Sequence, residues 1–135
     1  MAKICIIGAG SVTFGPNITR DLALTKSLYN NKISLMDIDK ERLEMSYSLM
    51  KRYFQETGAE YEVEKTLDRR ECIRDASVIL NVASAISNEE ILTMIETAEK
   101  YGYYRGIDAQ EWNMVSNYLT FTGYKNLKIA LDVAR

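Results

Sequence analysis

The sequence predicts an α/β fold with a doubly wound parallel sheet whose strands lie in the order 3-2-1-4. Short apolar runs alternate with helical stripes along the first 100 residues, and this alternation builds parallel sheets with right-handed crossovers. A Gly-x-Gly turn follows the first apolar run, and an acidic residue closes the second. In this fold class, ligands bind at the carboxyl ends of the strands, so the turn and the acidic residue are the first candidates for a site.

The predicted strands differ in how they are buried. Residues 3–8 and 77–83 are nearly unbroken apolar runs, which indicates strands covered by helices on both faces. Residues 32–38 form a second strand that stops at an acidic cluster. Residues 60–65 alternate instead, with Tyr61 and Val63 on one face and three glutamates on the other. A strand with a charged face belongs at a sheet edge, which gives the predicted order.

Helical stripes connect the strands. The first begins after the glycine turn and ends near residues 30–31, with Pro16 in its first turns, where proline is tolerated. The second ends at Gly58, a short helix or turn covers residues 69–74, and a third stripe and a last helix follow. The stripes are defined by Ile18, Leu22, Thr25 and Leu28; by Leu43, Tyr47, Met50 and Phe54; by Ile91, Met94, Ile95, Ala98 and Tyr101; and by Leu127, Ala130, Leu131 and Ala134.

Residues 101–126 keep no clean period and are dense in aromatic and amide side chains, which predicts a surface-lining loop and helix. The aromatic residues Trp112, Tyr118 and Phe121 are expected to pack in the core or at an interface. No strand follows the last helix, although two more normally complete such a sheet. We therefore expect residues 1–135 to be one dinucleotide-binding domain, a fragment that leaves strand 4 as an exposed edge. Such a fragment is expected to self-associate as a homo-oligomer or to be marginally stable.

The composition narrows the function classes. Seventeen basic and 19 acidic residues give a net charge of −2, with no basic run for a nucleic acid or an anionic membrane surface. The chain lacks a signal-peptide core and a membrane span, which favours the cytoplasm. Cys5 and Cys72 stand far apart in different predicted elements, so we expect neither a metal-binding pair nor a disulfide. Histidine is absent, which removes the commonest general base and metal ligand.

The glycine turn predicts a phosphate site. Gly8 allows the tight turn, Gly10 lets the backbone approach a pyrophosphate, and the following helix offers free N–H groups. We expect the pyrophosphate on residues 8–11, with Val12 and Phe14 also at the cofactor. The third glycine of the fingerprint is Thr13 here, so a simple strand-to-helix turn is the alternative.

The acidic cluster after strand 2 predicts a ribose site. A carboxylate at Asp37 can accept from both ribose hydroxyls and would repel a 2′-phosphate, which favours NAD over NADP. Asp39 competes for this role, but Arg42 and Glu44 in the next turn favour it as the N-cap of the second helix. Residues 81–84, including Asn81 and Ala83, would line the cofactor crevice or form a plain strand-ending turn.

Four segments resemble a known family. KICIIGAGSVTF, ISLMDIDKERL, EKTLDRRE and above all KYGYYRGIDAQEWNMVSNY are similar to the N-terminal part of the NAD-dependent glycosidases of glycoside hydrolase family 4, especially its α-glucosidase and α-galactosidase type. The resemblance covers essentially the whole chain. It implies a redox-elimination mechanism, an exception to the two-carboxylate scheme. NAD takes a hydride from C3 of the sugar, a divalent metal such as Mn²⁺ holds the C2 and C3 oxygens, and the glycosidic bond leaves by elimination.

The resemblance carries over only part of the family's site. It implies Gly8, Gly10, Ser11 and Asp37 for the cofactor, and it places Glu111, Asn113 and Asn117 in the substrate-side segment. Glu111 would be the carboxylate beside the active site, whereas Asn117 stands where close relatives have an acid. The family's glycine pair after strand 4 is Ala85-Ile86 here. Its metal-binding Cys and His come later than this chain reaches, so no metal ligand is carried over.

Three hypotheses follow. The chain is the NAD-binding domain of a redox glycosidase and inactive alone, with the metal needed only in a full-length form. Alternatively, it is a stand-alone NAD-sensing module whose aromatic segment contacts a partner, or half of a hydroxyacid-type dehydrogenase. Glycoside turnover and cofactor binding distinguish them.

Overall fold

The computed structural model describes residues 1–102 and 117–134 of the chain. These fall into two compact units, Met1–Ala83 and Ser84–Arg135. The first contains a four-stranded parallel sheet in the order β3-β2-β1-β4, which confirms the predicted fold class and topology. Its strands are β1 (Lys3–Ile7), β2 (Asn31–Met36), β3 (Tyr61–Thr66) and β4 (Val78–Asn81).

Three α-helices connect these strands, namely α1 (Phe14–Leu24), α2 (Lys40–Thr57) and α3 (Arg69–Ile73). A short 3₁₀ helix, Lys26–Leu28, follows α1. The first helix therefore ends earlier than predicted, because Thr25 leaves the helical conformation and its N–H bonds to the carbonyl of Leu22. The predicted extents of the second helix and of the short helix agree with the structure.

Caps of the expected kind fix the second and third helices. The Asp39 carboxylate accepts hydrogen bonds from the N–H groups of Glu41 and Arg42 at the start of α2, as predicted. Gly58 ends this helix in the left-handed conformation, at φ +70°. Asp68 caps α3 by accepting from the N–H of Arg70. Polar side chains thus set where these two helices begin.

The core lies between the sheet and the helices α1 and α2. One sheet face contributes four buried isoleucine and leucine side chains from β1 and β2, and the two helices cover them with aliphatic and aromatic side chains. These core residues are Ile4, Ile6, Ile33, Leu35, Leu22, Leu43, Met50 and Phe54. Because the same strands alternate their side chains, the opposite face carries Cys5, Ser34 and Met36.

Charged side chains cross the start of the sheet on that opposite face. The Lys32 ammonium lies 2.7 Å from a Glu64 oxygen and 3.2 Å from a Glu62 oxygen. Lys3 lies 3.4 Å from Glu64, and its Nζ also donates to the carbonyls at the end of α3. The predicted charged face of β3 is therefore paired with lysines on neighbouring strands.

One prediction about the core is wrong. Cys5 on β1 and Cys72 on α3 form a disulfide, with their Cα atoms 5.9 Å apart. The sequence places them 67 positions apart, in different elements, and that separation suggested two isolated thiols. The topology brings them together, because β1 is central and α3 packs against its face.

The second unit contains α4 (Asn88–Lys100) and α5 (Asn117–Val133). Ser87 and Glu90 form a capping box at the start of α4, and Lys125 of α5 forms an ion pair with Glu90. The last helix, α5, starts at Asn117, about ten residues before the predicted start near Leu127. Residues 103–116, which hold most of the predicted aromatic segment, lie outside the described residues. No helix in the described ranges is long and apolar enough to cross a bilayer.

Candidate functional site

The glycine turn leaves β1 at the carboxyl edge of the sheet, and its first glycine is required by both conformation and space. Gly8 has φ +83°, a value that side chains disfavour. A Cβ atom at this position would lie 2.6 Å from the backbone Cα and N of Ala83, which follows β4. The turn therefore brings the ends of β1 and β4 into direct backbone contact.

The second glycine is required by its neighbours. A Cβ atom at Gly10 would lie 2.7 Å from the Cβ of Arg42 and 2.9 Å from Oδ2 of Asp37. The Gly10 N–H donates to that same Oδ2 over 2.8 Å. Gly10 thus allows the turn to pack onto the beginning of α2 and onto the acidic residue that follows β2.

The backbone donors of the turn show where an anion can bind. Six of the N–H groups between residues 8 and 15 have protein acceptors. The pairs are Gly8 and Ala9 to the carbonyl of Met36, Gly10 to Asp37, Ser11 to the carbonyl of Gly8, Phe14 to the hydroxyl of Ser11, and Gly15 to the carbonyl of Ser11. The N–H groups of Val12 and Thr13 have no acceptor among the described residues. The free donors thus lie just beyond residues 8–11, at the start of α1.

Asp37 connects the turn to the second helix. Its Oδ1 accepts from the N–H of Asp39 over 2.9 Å, while Oδ2 accepts from Gly10. The carboxylate is half-buried, and each oxygen has a lone pair left after these bonds. Asp37 can therefore hold the turn in place and still accept a hydrogen bond from a ligand hydroxyl.

The other predicted cofactor residues border the same edge. Val12 and Phe14 expose 82% and 53% of their surface beside the free donors. Asn81 ends β4, and its side-chain oxygen accepts from the N–H of Ala83 over 3.3 Å. The structure therefore places the predicted residues from the ends of β1, β2 and β4 along one edge of the sheet.

Sequence reasoning missed one donor and placed one residue wrongly here. The Thr13 N–H is a free donor, but the sequence drew attention to Thr13 only as a departure from the three-glycine fingerprint. Ile38 is 90% exposed immediately after Asp37, although the predicted second strand included it. Its position between two aspartates was the signal that the strand ends before Ile38.

The substrate-side predictions remain predictions. Glu111 and Asn113 lie outside the described residues, and Asn117 is described only as the first residue of α5. Within the described ranges, no three His, Cys, Asp or Glu side chains stand close enough together to hold a metal ion. The described residues at this edge thus fit a dinucleotide.

Comparison with known proteins identifies the family. The model of family 4 glycosyl hydrolases matches residues 3–135. The chain belongs to this family. It is 30% identical over 104 residues to an α-galactosidase of Bacillus subtilis (strain 168). The matched residues make up 76% of this chain and 24% of that protein. Membership confirms the resemblance that the sequence motifs indicated.

Solved structures of similar proteins agree with the fold. A 6-phospho-α-glucosidase from gut microorganisms, in complex with NAD and glucose-6-phosphate, has a TM-score of 0.65 and 26% identity over 75% of this chain and 23% of that one. A second structure of a 6-phospho-α-glucosidase from gut microorganisms, in complex with NAD and Mn²⁺, has a TM-score of 0.56 and is 28% identical. The match covers 62% of this chain and 19% of that one. The chain thus spans about a quarter or less of the length of these relatives.

Proposed function

We propose that residues 1–83 bind NAD as the cofactor-binding part of a family 4 glycosidase. One observation carries this proposal. The turn after β1 presents two backbone N–H groups, at Val12 and Thr13, that have no acceptor in the part of the chain that the structure describes, beside a carboxylate that is hydrogen-bonded to the same turn. Unpaired N–H groups at the start of a helix attract phosphate, and a neighbouring carboxylate binds ribose hydroxyls.

Each part of the cofactor has a partner on this edge. The pyrophosphate accepts hydrogen bonds from Val12, Thr13 and the hydroxyl of Ser11. The adenosine ribose donates to Asp37. Gly8 and Gly10 keep the turn close to the sheet, and Asn81 and Ala83 form the opposite wall, while Val12 and Phe14 offer apolar surface. A 2′-phosphate would stand against the Asp37 carboxylate, so NAD is preferred over NADP.

The relatives support the reaction class. The named relatives are an α-galactosidase and 6-phospho-α-glucosidases, and the latter were solved with NAD together with glucose-6-phosphate or Mn²⁺. The proposed substrate is an O-linked glycoside, cleaved with NAD supplying reversible hydride transfer when bound. Glu111 acts beside the reacting sugar, and Asn113 and Asn117 contact it.

The chain alone is expected to bind without turning over. In this proposal a divalent metal belongs to a full-length form, and no step is assigned to it here. We place the protein in the cytoplasm, with NAD and a glycoside as partners and with a second copy of the chain as the oligomeric partner. Neither nucleic acid nor a membrane is a partner in this proposal.

Titration calorimetry with NAD and NADP tests the binding site. We expect one NAD per chain, weaker binding of NADP, and loss of NAD affinity by at least about tenfold in Asp37→Ala, which is about 1.4 kcal/mol. Asp21→Asn, an exposed aspartate on α1, is the matched control and should bind as the unaltered chain does. Absence of any NAD binding at about 1 mM would contradict the proposal.

Hydrolysis of p-nitrophenyl α-glucoside with NAD⁺ and Mn²⁺ tests whether this chain alone catalyses the reaction. We expect no turnover by this chain. Clear turnover would show that the catalytic residues lie within these 135 residues and would overturn the assignment of a cofactor-binding part only.

A further inference from the structure

The disulfide between Cys5 and Cys72 joins β1, an inner strand of the sheet, to the five-residue helix α3. Both cysteines are fully buried, and their Cα separation of 5.9 Å is usual for a disulfide. Cys5 lies between β2 and β4 and three residues before Gly8. The bond closes a loop that contains β2, α2 and β3, so it connects the start and the end of most of the first unit.

The surroundings also accommodate the reduced pair. The Sγ of Cys72 lies 3.3 Å from the carbonyl oxygen of Ser34. Once the bond is broken, the Cys72 thiol therefore has an acceptor in place for its S–H. A buried cysteine thiol otherwise behaves as a small apolar side chain, so the Cys5 thiol needs no polar partner. Both thiols of the reduced pair therefore have a suitable environment in the core.

Helix α3 carries Cys72 and packs against β1. Because both cysteines have no exposed surface, a small thiol reaches them only after a local opening, and we expect the opening of this five-residue helix to expose the bond. Asp68 holds its first turn, and the Lys3 Nζ donates to the carbonyls of Glu71 and Arg74 over 3.2 and 3.0 Å at its end. Lys3, on the same strand as Cys5, thus holds the end of the helix that carries Cys72.

We propose that Cys5 and Cys72 are a reversible thiol–disulfide site that covalently joins α3 to β1, with a small soluble thiol–disulfide couple, for which glutathione is the probe, as its redox partner. In the oxidising direction, the Cys72 thiolate attacks oxidised glutathione and forms a mixed disulfide, and the Cys5 thiolate then displaces the second glutathione. Two electrons pass to glutathione, and the two protons end on the two released thiols. Reduced glutathione reverses both steps.

Peptide mapping after equilibration in glutathione buffers tests the bond. We expect trypsin to release peptide 4–20 cross-linked to peptide 71–74 from oxidised samples, and the two separate, alkylated peptides from reduced ones. The fraction cross-linked should follow the ratio of oxidised to reduced glutathione. The proposal is overturned if this cross-link forms at no ratio, or if no reduced pair forms at any ratio.

Thermal unfolding tests the effect of the disulfide on stability. A cross-link over 67 residues constrains the unfolded chain, so the oxidised chain should melt roughly 10 °C or more above the reduced one. Cys72→Ala should melt at one temperature whether or not a reductant is present. If this variant does not fold, the comparison of oxidised and reduced unaltered chain still decides. Equal melting temperatures for the oxidised and reduced forms would overturn the proposal that the disulfide stabilises the fold.

The rate of reduction tests the role of α3. We expect dithiothreitol to reduce Lys3→Ala several-fold faster than the unaltered chain, because the helix end is then released. Lys40→Ala, an exposed lysine at the start of α2, is the matched control and should be reduced at the original rate. Equal rates for Lys3→Ala and Lys40→Ala would overturn the control of access by α3.

Discussion

The backbone N–H of Gly10 donates to Oδ2 of Asp37 over 2.8 Å, so the carboxylate proposed to bind the ribose also holds the turn proposed to bind the phosphate. Oδ1 of the same residue accepts from Asp39 at the start of α2. The two halves of the proposed site are therefore not independent. A substitution at Asp37 must change the shape of the turn as well as the contact with the ligand.

Asp37→Ala is expected to lower both stability and NAD affinity. It removes the acceptors of two backbone N–H groups, and each unpaired donor costs about 1–3 kcal/mol where it is buried. Urea unfolding measures the loss of stability, and calorimetry measures whether the preference for NAD over NADP disappears. Equal affinity of the unaltered chain for the two cofactors would count against Asp37 as the group that reads the ribose.

Asp37→Asn separates the two roles. An asparagine retains one oxygen acceptor but replaces the other oxygen with an amide group that cannot accept. We expect stability between those of the unaltered chain and Asp37→Ala, together with binding of NADP that is no longer weakened by a carboxylate charge. A stability loss equal to that of Asp37→Ala would show that both acceptor oxygens are needed to hold the turn.

Gly8→Ala and Gly58→Ala form a matched pair. Both glycines have positive φ, at +83° and +70°, so both substitutions meet the same backbone strain of about 1–2 kcal/mol. Only the Cβ at position 8 would also collide with a backbone, that of Ala83, whereas nothing lies within 4 Å of a Cβ at position 58. Urea unfolding should show a loss about 2 kcal/mol or more larger for Gly8→Ala. Similar losses would mean that β1 and β4 do not need this close contact.

The sequence was sufficient for the topology and for the order of the site residues along the chain. Unbroken apolar runs at residues 3–8 and 77–83 distinguish the inner strands, and the alternation around Val63 marks an edge strand. Asp37 follows the second run, which places it at the carboxyl edge once the strands are parallel. These features depend on periodicity and chain order, which one sequence contains.

Contacts between residues far apart in the sequence could not be predicted from the sequence. Periodicity places Cys72 on a short helix, but it does not say that this helix turns Cys72 toward β1, so the disulfide with Cys5 was missed. It likewise cannot show that the N–H of Gly10 is used by Asp37 while that of Thr13 stays free. Such pairings depend on the three-dimensional approach of separate elements, because their spacing in the sequence has no fixed relation to distance.

The outer edge of β4 is expected to promote self-association. Among the described residues, β4 pairs only with β1, and Val78 on this strand is 51% exposed. Unpaired N–H and C=O groups on an edge strand are a template for another chain, and a lysine at such an edge discourages pairing. Sedimentation velocity should show association of the unaltered chain and a shift toward monomer in Val78→Lys. A stable monomer for the unaltered chain would contradict this expectation.

Glu64 is expected to make stability depend on pH in the acid range. Burial favours a higher pKa for its carboxyl group, but hydrogen bonds to the carboxylate, that from Lys32 foremost, outweigh burial and hold the pKa below its ordinary value of 4.5. A carboxyl group whose pKa is lowered on folding stabilises the fold above its ordinary pKa. This contribution is lost as the pH falls through the lower folded value, where Glu64 takes up a proton.

Glu64→Gln should therefore lower the free energy of unfolding at neutral pH, and its difference from the unaltered chain should shrink as the pH falls below 4.5. The loss should be at most about 1 kcal/mol, because the side chain is 38% exposed and water screens the pair. Glu60→Gln, an exposed glutamate that forms no ion pair within the described ranges, is the control and should leave the acid profile unchanged. A Glu64→Gln profile that runs parallel to that of the unaltered chain would show that the lysines do not stabilise the charged form of Glu64. Urea unfolding from about pH 7 to pH 3 measures all three chains.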